Sequence, residues 1–487
     1  MNNQLRIFIV SLLALGLFSC KKTLDVEPTN QVNANNSIKT PADAQIMING
    51  IVRSMSNADY YGRNFLLYGD AKGGDMTVPQ QGRGNDALYT FNHSASNNSY
   101  STYWSQIYFT LLQVNNLLQN IEQLEAGGAT GFNSYKGQAL TLRAIMYFDL
   151  VRLYGKSYDV DKNAYGVPNI TIPLKSTEQP LRNTVADNYN QILSDLKAAA
   201  PLLAKTKSNG FVNYYGNLAM QARVYLYMKD YPNALKAAEE IITSNVYTLY
   251  TNAAWVDSWK TQYGSESIFE IGVYPLEGDL GAGSIGAYHR KKGDGGSSIL
   301  GWFIASDYFL TRLKEDAADV RWGVMNDDEI STTAKPRKGA LYKYSGSISL
   351  AGDGKATNTA VNIKLIRLSE IYLIAAEAAL PADALKAATY LNAIRKRAPN
   401  LPAATAATVT IDMILDERSK ELFGEGQRFF DMIRLNRSIT FNDEIIGISV
   451  ATRPKTIDRT FYKTLLPISQ AEINANPGIQ AQQNPQY

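Results

Sequence analysis

Ala219-Met-Gln-Ala222-Arg-Val-Tyr225-Leu-Tyr-Met-Lys-Asp230-Tyr231-Pro232-Asn-Ala234-Leu235-Lys-Ala237-Ala238-Glu-Glu-Ile-Ile242 is the stretch whose reading decides the fold of this chain. Small residues at 222, 234, 237 and 238 stand where two helices must approach closely, with a break at Asp230-Tyr231-Pro232. A degenerate copy spans Arg367 to Arg397: Ile371-Tyr-Leu-Ile-Ala375-Ala376-Glu377-Ala378 is followed by Ala384-Leu-Lys-Ala387-Ala388 and Tyr390-Leu391. Roughly 120 residues separate the copies, so the spacing is not that of a regular solenoid.

The paired pattern is similar to a tetratricopeptide repeat, and it extends toward the N-terminus. Thr40-Pro41-Ala42-Asp43 offers a cap followed by proline at the first helical position, which predicts a helix to about Ser56. Trp104, Ile107, Tyr108, Leu111, Leu112, Val114, Leu118 and Ile121 keep helical spacing up to Gly127-Gly128. Ala139, Leu142, Met146, Leu150 and Leu153 share a face of the next helix, Tyr135 to Tyr154, and a further pair is expected over 185–203 and 213–228. Residues 57–100 and 245–362 differ in character, being rich in Gly, Ser, Asn and aromatics, and read as long loops, the second with small hairpins and short β-like runs such as Ser267 to Tyr274. A mainly α framework with a large irregular half is the expected architecture.

The start of the chain sets its address. Arg6, the apolar run Ile7 to Leu17 and Ser19 before Cys20 read as a secretory leader, too short to span a bilayer as a mature helix. Leu17-Phe18-Ser19-Cys20 resembles a bacterial lipoprotein signal, which implies cleavage after residue 19 and acylation of Cys20; the alternative is a plain leader with a chance cysteine. Residues 20–39, polar and punctuated by Pro28 and asparagines, read as a spacer, and 40–487 as one domain with regions 40–244 and 245–487. Cys20 is the sole cysteine, so disulfides and thiolate metal sites are excluded. With 45% hydrophobic and 19% charged residues the chain is globular. A net charge of +3, spread over 48 basic and 45 acidic residues, leaves no footprint for nucleic acid.

Four stretches align with one family: Leu140-Thr-Leu-Arg143-Ala144 through Tyr147-Phe148 and Leu150-Val151 to Tyr154-Gly155; Ile172-Pro173-Leu174; Asp416-Glu417-Arg418 through Glu421-Leu422 to Gly426-Gln-Arg428-Phe429-Phe430-Asp431 and Arg434; and Leu466-Pro467-Ile468 through Asn476-Pro477 to Asn484-Pro485. Together they resemble the SusD/RagB lipoproteins of Bacteroidetes. The resemblance implies a SusD-like fold and a surface-exposed, outer-membrane glycan-binding lipoprotein. Its implied partner is a TonB-dependent transporter of the SusC type.

Asp416, Glu417, Glu421, Glu425 and Asp431 supply carboxylates that a glycosidase would need in pairs, yet Arg418, Arg428 and Arg434 at helical spacing make an ion-pair network the expected reading. Gly281-Ala-Gly283-Ser-Ile-Gly286 matches a dinucleotide fingerprint only formally, since no βαβ unit surrounds it and no helix is expected after it. His93 and His289 have no ligand-spaced neighbours, so no metal, cofactor or catalytic residue is expected. Glycan recognition requires an aromatic face for the sugar ring and polar groups for its hydroxyls. The loops supply Asp70, Asp75, Arg83, Asn98 and Tyr100 in one region and Tyr288, Arg290 and Trp302 in another. A tetratricopeptide-like adaptor for peptide or protein cargo and a secreted glycoside hydrolase are the competing readings.

Overall fold

Helix α1 (Pro41–Met55) opens where the sequence places it. Thr40 Oγ1 accepts the Asp43 N–H at 3.3 Å, and the Asp43 carboxylate accepts the Thr40 N–H at 2.9 Å, a reciprocal cap that satisfies two helix-terminal donors. The computed structural model describes residues 38–82, 86–96, 101–175, 177–345, 352–355, 357–445, 447 and 449–487.

After α1 comes α2 (Asn64–Ala71), which the sequence reading had assigned to loop. Every residue from Phe65 to Ala71 is buried, so α2 has no polar face and shows no amphipathic period by which to recognise it. Next come α3 (Ser101–Ala126) and α4 (Asn133–Tyr154), and α4 is buried along its whole length from Gly137. It packs on α3, on α1 and on α5 (Val185–Ala199), the last again closed by a reciprocal Thr184–Asp187 cap. From α5 the stack continues through α6 (Tyr214–Tyr227) to α7 (Tyr231–Thr243).

The chain then leaves the stack for the long insertion, which carries the short helix α8 (Ile285–His289), and returns at α9 (Leu368–Ala379). Helix α9 packs against α7 and then pairs with α10 (Ala384–Arg395), so the row of helices is continuous across the insertion. Ala234, Ala237, Ala238, Ala375, Ala376 and Ala378 are all buried, the small residues that allow this approach. Overpacking such a seam costs about 1–3 kcal/mol per substitution. Helices α11 (Ile411–Glu421) and α12 (Arg428–Arg434) follow, joined by a glycine-flanked turn. Among the described residues no helix is long and apolar enough to cross a membrane.

Strands are short and antiparallel: β1 (Met76–Thr77) pairs with β3 (Ile304–Ala305), β2 (Ser267–Ile271) with β6 (Ile363–Arg367), β4 (Met325–Asn326) with β5 (Ala340–Leu341), and β7 (Ile439–Thr440) with β8 (Thr456–Ile457). The β-like run at Ser267 does form a strand, and its partner lies across the insertion: Ser267 faces Arg367 and Ile271 faces Ile363. The Gly281–Gly286 segment is a 3-10 turn followed by α8, capped by Ser284, so a helix does follow it, though still without a βαβ unit.

Candidate functional site

The turn Gly424-Glu425-Gly426 sets the geometry of the loop-rich half. A Cβ on Gly69 of α2 would stand 1.9 Å from the Gly426 carbonyl oxygen, so the two backbones touch. The Gly426 N–H donates to Asp70 Oδ2 at 2.8 Å, and Gly424 abuts His289 at the end of α8. One turn thus positions the helix that begins beside Arg63 and the helix that carries Tyr288.

Ion pairs hold that turn. Arg367 donates to Glu425 at 2.8 and 2.9 Å, to Glu421 at 3.1 Å and to Glu266 at 3.2 Å, while Lys343 reaches Glu425 at 2.7 Å and Arg397 reaches Glu266 at 2.8 Å. Arg418 and Arg434 share Asp431, and Arg434 also grips Glu377. All these side chains are buried, where a charge persists only when paired. The surrounding arginines hold the Glu421 carboxyl down, to about 2, against the opposing effect of burial. The acidic residues offered by the sequence as glycosidase candidates are, apart from half-exposed Asp416, built into this interior lattice.

Arg63 and Trp302, both half-buried, each pack against the buried ring of Tyr288. The Arg63 guanidinium lies over the Tyr288 ring, 4.7 Å from its centroid, and Nη1 donates to the Tyr288 hydroxyl at 3.1 Å and to the Gly283 carbonyl at 3.2 Å. Trp302 meets Tyr288 edge to face with centroids 4.8 Å apart, and the Trp302 backbone N–H donates to the Tyr288 carbonyl at 2.9 Å. Trp302 and Arg63 are half-buried, and the neighbouring segment 291–298 is largely exposed. A half-buried indole and a guanidinium, each held against the Tyr288 ring, offer an apolar face and N–H donors, the two halves of a sugar contact.

Arg63 was not read from the sequence, because no periodicity marks the residue before a fully buried helix. Asp70 and Asp75, expected to face ligand, are instead buried. Asp70 accepts from Gly426, and burial pushes its carboxyl well above the usual range. Asp75 is ion-paired to Arg312 and Arg428 and accepts from Ser419 Oγ at 2.6 Å. Arg290 is fully buried, its Nε donating to Gly286 O at 3.2 Å, so it offers nothing to the surface. Tyr288 exposes little beyond an edge. Arg83, Asn98, Tyr100 and Cys20 lie outside the described residues. Both histidines are buried, His289 at the end of α8; burial lowers His289 to about 3, which leaves it neutral. Among the described residues no group of three or more His, Cys, Asp or Glu is disposed to hold a metal.

A row of paired helices that presents an aromatic and arginine cluster from irregular loops defines a ligand-binding scaffold. The description "SusD family" matches residues 306–487, and "Starch-binding associating with outer membrane" matches residues 22–226. A SusD superfamily structure from Bacteroides thetaiotaomicron VPI-5482 is 35% identical, covers 92% of this chain and 100% of its own, and superposes with a TM-score of 0.83. A putative sugar binding protein from Bacteroides vulgatus ATCC 8482 is 32% identical over 93% of this chain and 99% of its own, with a TM-score of 0.81. SusD-like protein P2 of Formosa agariphila is 26% identical over 99% of both chains. The chain belongs to the SusD/RagB family of Bacteroidetes.

Proposed function

We propose that this chain is a non-catalytic, surface-exposed lipoprotein of the outer membrane that binds glycans and delivers them to a TonB-dependent transporter of the SusC type. Residues 1–19 act as a cleaved leader, Cys20 carries the acyl chains, 20–39 are a spacer, and 40–487 form the binding body. Acyl chains partition at about 0.8 kcal/mol per buried methylene, so two or more on one residue tether a large protein firmly. The observation that carries the binding reading is the Arg63–Tyr288–Trp302 cluster, supported by family membership and by a sugar-binding name among the relatives. Stacking sites of this kind bind modestly, which suits release into a pore.

Trp302→Ala tests it. Electrophoresis through gels holding neutral polysaccharides should show wild-type retardation that falls several-fold in the variant with an unchanged melting temperature; unchanged retardation removes this cluster from the site. Release of reducing ends by the purified protein would favour the hydrolase reading.

One observation favours a second reading, an adaptor for peptide or protein. A cleft of about 290 Å³ runs between Trp104, Tyr108 and Leu111 on α3 and Pro168, Ile170 and Leu174, with Phe109 and Ile172 exposed nearby. Binding that survives Trp302→Ala but is lost in Leu112→Asp would support that reading.

A further inference from the structure

Apart from the Trp302 cluster, a pocket of about 250 Å³ opens between α1 and the loops at 209–211 and 263–277, lined by Asn49, Arg53, Asn209, Phe211, Tyr263, Tyr274 and Glu277. Its tyrosines are held in place. Tyr263 Oη lies 3.1 Å from Tyr274 Oη, and a Cβ on Gly272 would stand 2.7 Å from Tyr263 Oη and 3.0 Å from the Tyr274 ring, so a glycine is needed for the rings to cross there. Tyr263 itself has φ of 50°, a left-handed conformation that a bulky residue adopts only when its surroundings enforce it. They do so here. Lys207 Nζ donates to the Tyr263 and Gly264 carbonyls, both at 2.7 Å, and the Tyr263 N–H donates to buried Glu270 at 3.0 Å. Backbone strain sustained by two buttressing side chains to present a half-exposed phenol is unexpected of a residue that merely covers a loop.

Tyr274 is 47% exposed, and Lys355 Nζ stands 5.3 Å from its ring centroid. Around the rings, Arg53 and Glu277 contribute opposite charges, and Asn49, whose Oδ1 accepts from Gln45, has its amide hydrogens left to donate. The volume lies just below the range of about 300 Å³ and upward typical of pockets for drug-sized ligands, and so suits a single ring. Guanidinium, carboxylate and amide groups around an aromatic face match the alternating hydroxyls of a neutral sugar, whereas an anionic one would meet Glu277 and a cationic one Arg53.

We propose that this pocket is a second carbohydrate subsite, taking one neutral pyranose ring against Tyr274 with its hydroxyls served by Asn49, Asn209, Arg53 and Glu277. The assignment rests on the glycan-binding reading above. The test is electrophoresis of wild type, Tyr274→Ala, Asn49→Ala and Trp302→Ala through gels holding starch, laminarin, xylan, galactomannan or dextran, with melting temperatures as folding controls. Both pocket variants should lose roughly threefold to tenfold in apparent affinity for the polysaccharide that retards the wild type, the loss expected when one aromatic contact or one hydrogen bond is removed. Unchanged retardation of both Tyr274→Ala and Asn49→Ala, with Trp302→Ala weakened, overturns the subsite and leaves the glycan reading standing. A wild type that no gel retards overturns both. Loss in the pocket variants with Trp302→Ala unchanged supports the subsite and removes the Trp302 cluster instead.

Discussion

Arg367→Met would test whether the buried lattice really holds the Gly424–Gly426 turn. Arg367 makes hydrogen bonds to the carboxylates of Glu266, Glu421 and Glu425 and to the Glu421 carbonyl, and it stacks 5.1 Å from the Trp259 ring centroid. Methionine keeps much of the volume but leaves three buried carboxylates to Lys343, Arg397 and Arg321. Removing one partner of a buried ion pair typically costs about 3–5 kcal/mol, because the remaining charge is uncompensated. A folded chain of roughly 450 residues unfolds with an entropy near 2.1 cal/mol/K per residue, so that loss lowers the melting temperature by about 3–5 °C. The pH dependence adds a sharper criterion. Glu421 and Glu425 are held below their ordinary values in the folded state, so they stabilise fully above the unfolded value near 4.5 and lose that contribution as pH falls through the folded one, about 2 for Glu421. Without Arg367 the depression weakens, and the gap between variant and wild type should be widest at pH 7–8 and narrow from pH 5 toward 3. Calorimetric scans across that range decide it. A variant melting within about 1 °C of wild type at pH 7.5, or a gap independent of pH, would refute the reasoning.

Other substitutions probe the same architecture. Gly69→Ala drives a methyl group into the Gly426 carbonyl and should cost about 3 kcal/mol, the upper end of the usual overpacking range, in denaturant unfolding, since all three contact atoms are backbone and cannot swing away; a loss under 1 kcal/mol would contradict the close approach. For Asp70 the sign is opposite to that of Glu421. Its folded value is raised, so its stability contribution is complete below the unfolded value near 3.9 and is lost as pH rises through the folded one. Asp70→Asn should therefore melt progressively higher relative to wild type between pH 4 and pH 8, and a flat difference would argue against a buried neutral acid. Cys20→Ser should abolish palmitate labelling in the native host and release the protein from membranes; persistent labelling would contradict the anchor.

The scaffold was legible because its signals are local. The Thr40 cap, the helical spacing along α3 and the alanines of α7 and α9 each announce themselves within a few residues. The site was less so. Asp70 and Asp75 sit in a glycine-rich segment that reads as exposed, yet their partners Gly426, Arg312, Arg428 and Ser419 lie more than two hundred positions away, beyond the reach of any local pattern. Arg63 and Tyr263 escaped for a related reason. One precedes a helix buried on all sides, and the other owes its presentation to a left-handed backbone that no tyrosine signals in advance. Trp302 was offered from the sequence as a large ring in a loop-rich region, and it is half-buried against Tyr288.

The continuity of α7 with α9, together with the pairing of β2 with β6, clamps the two ends of the insertion side by side without using its interior. For a loop whose ends are already fixed, doubling its length costs only about 0.6 kcal/mol. Exposed turns of the insertion are therefore free to lengthen at little cost, whereas Arg312 and Lys343, paired with Asp75 and Glu425, bind its interior to the helical body beneath.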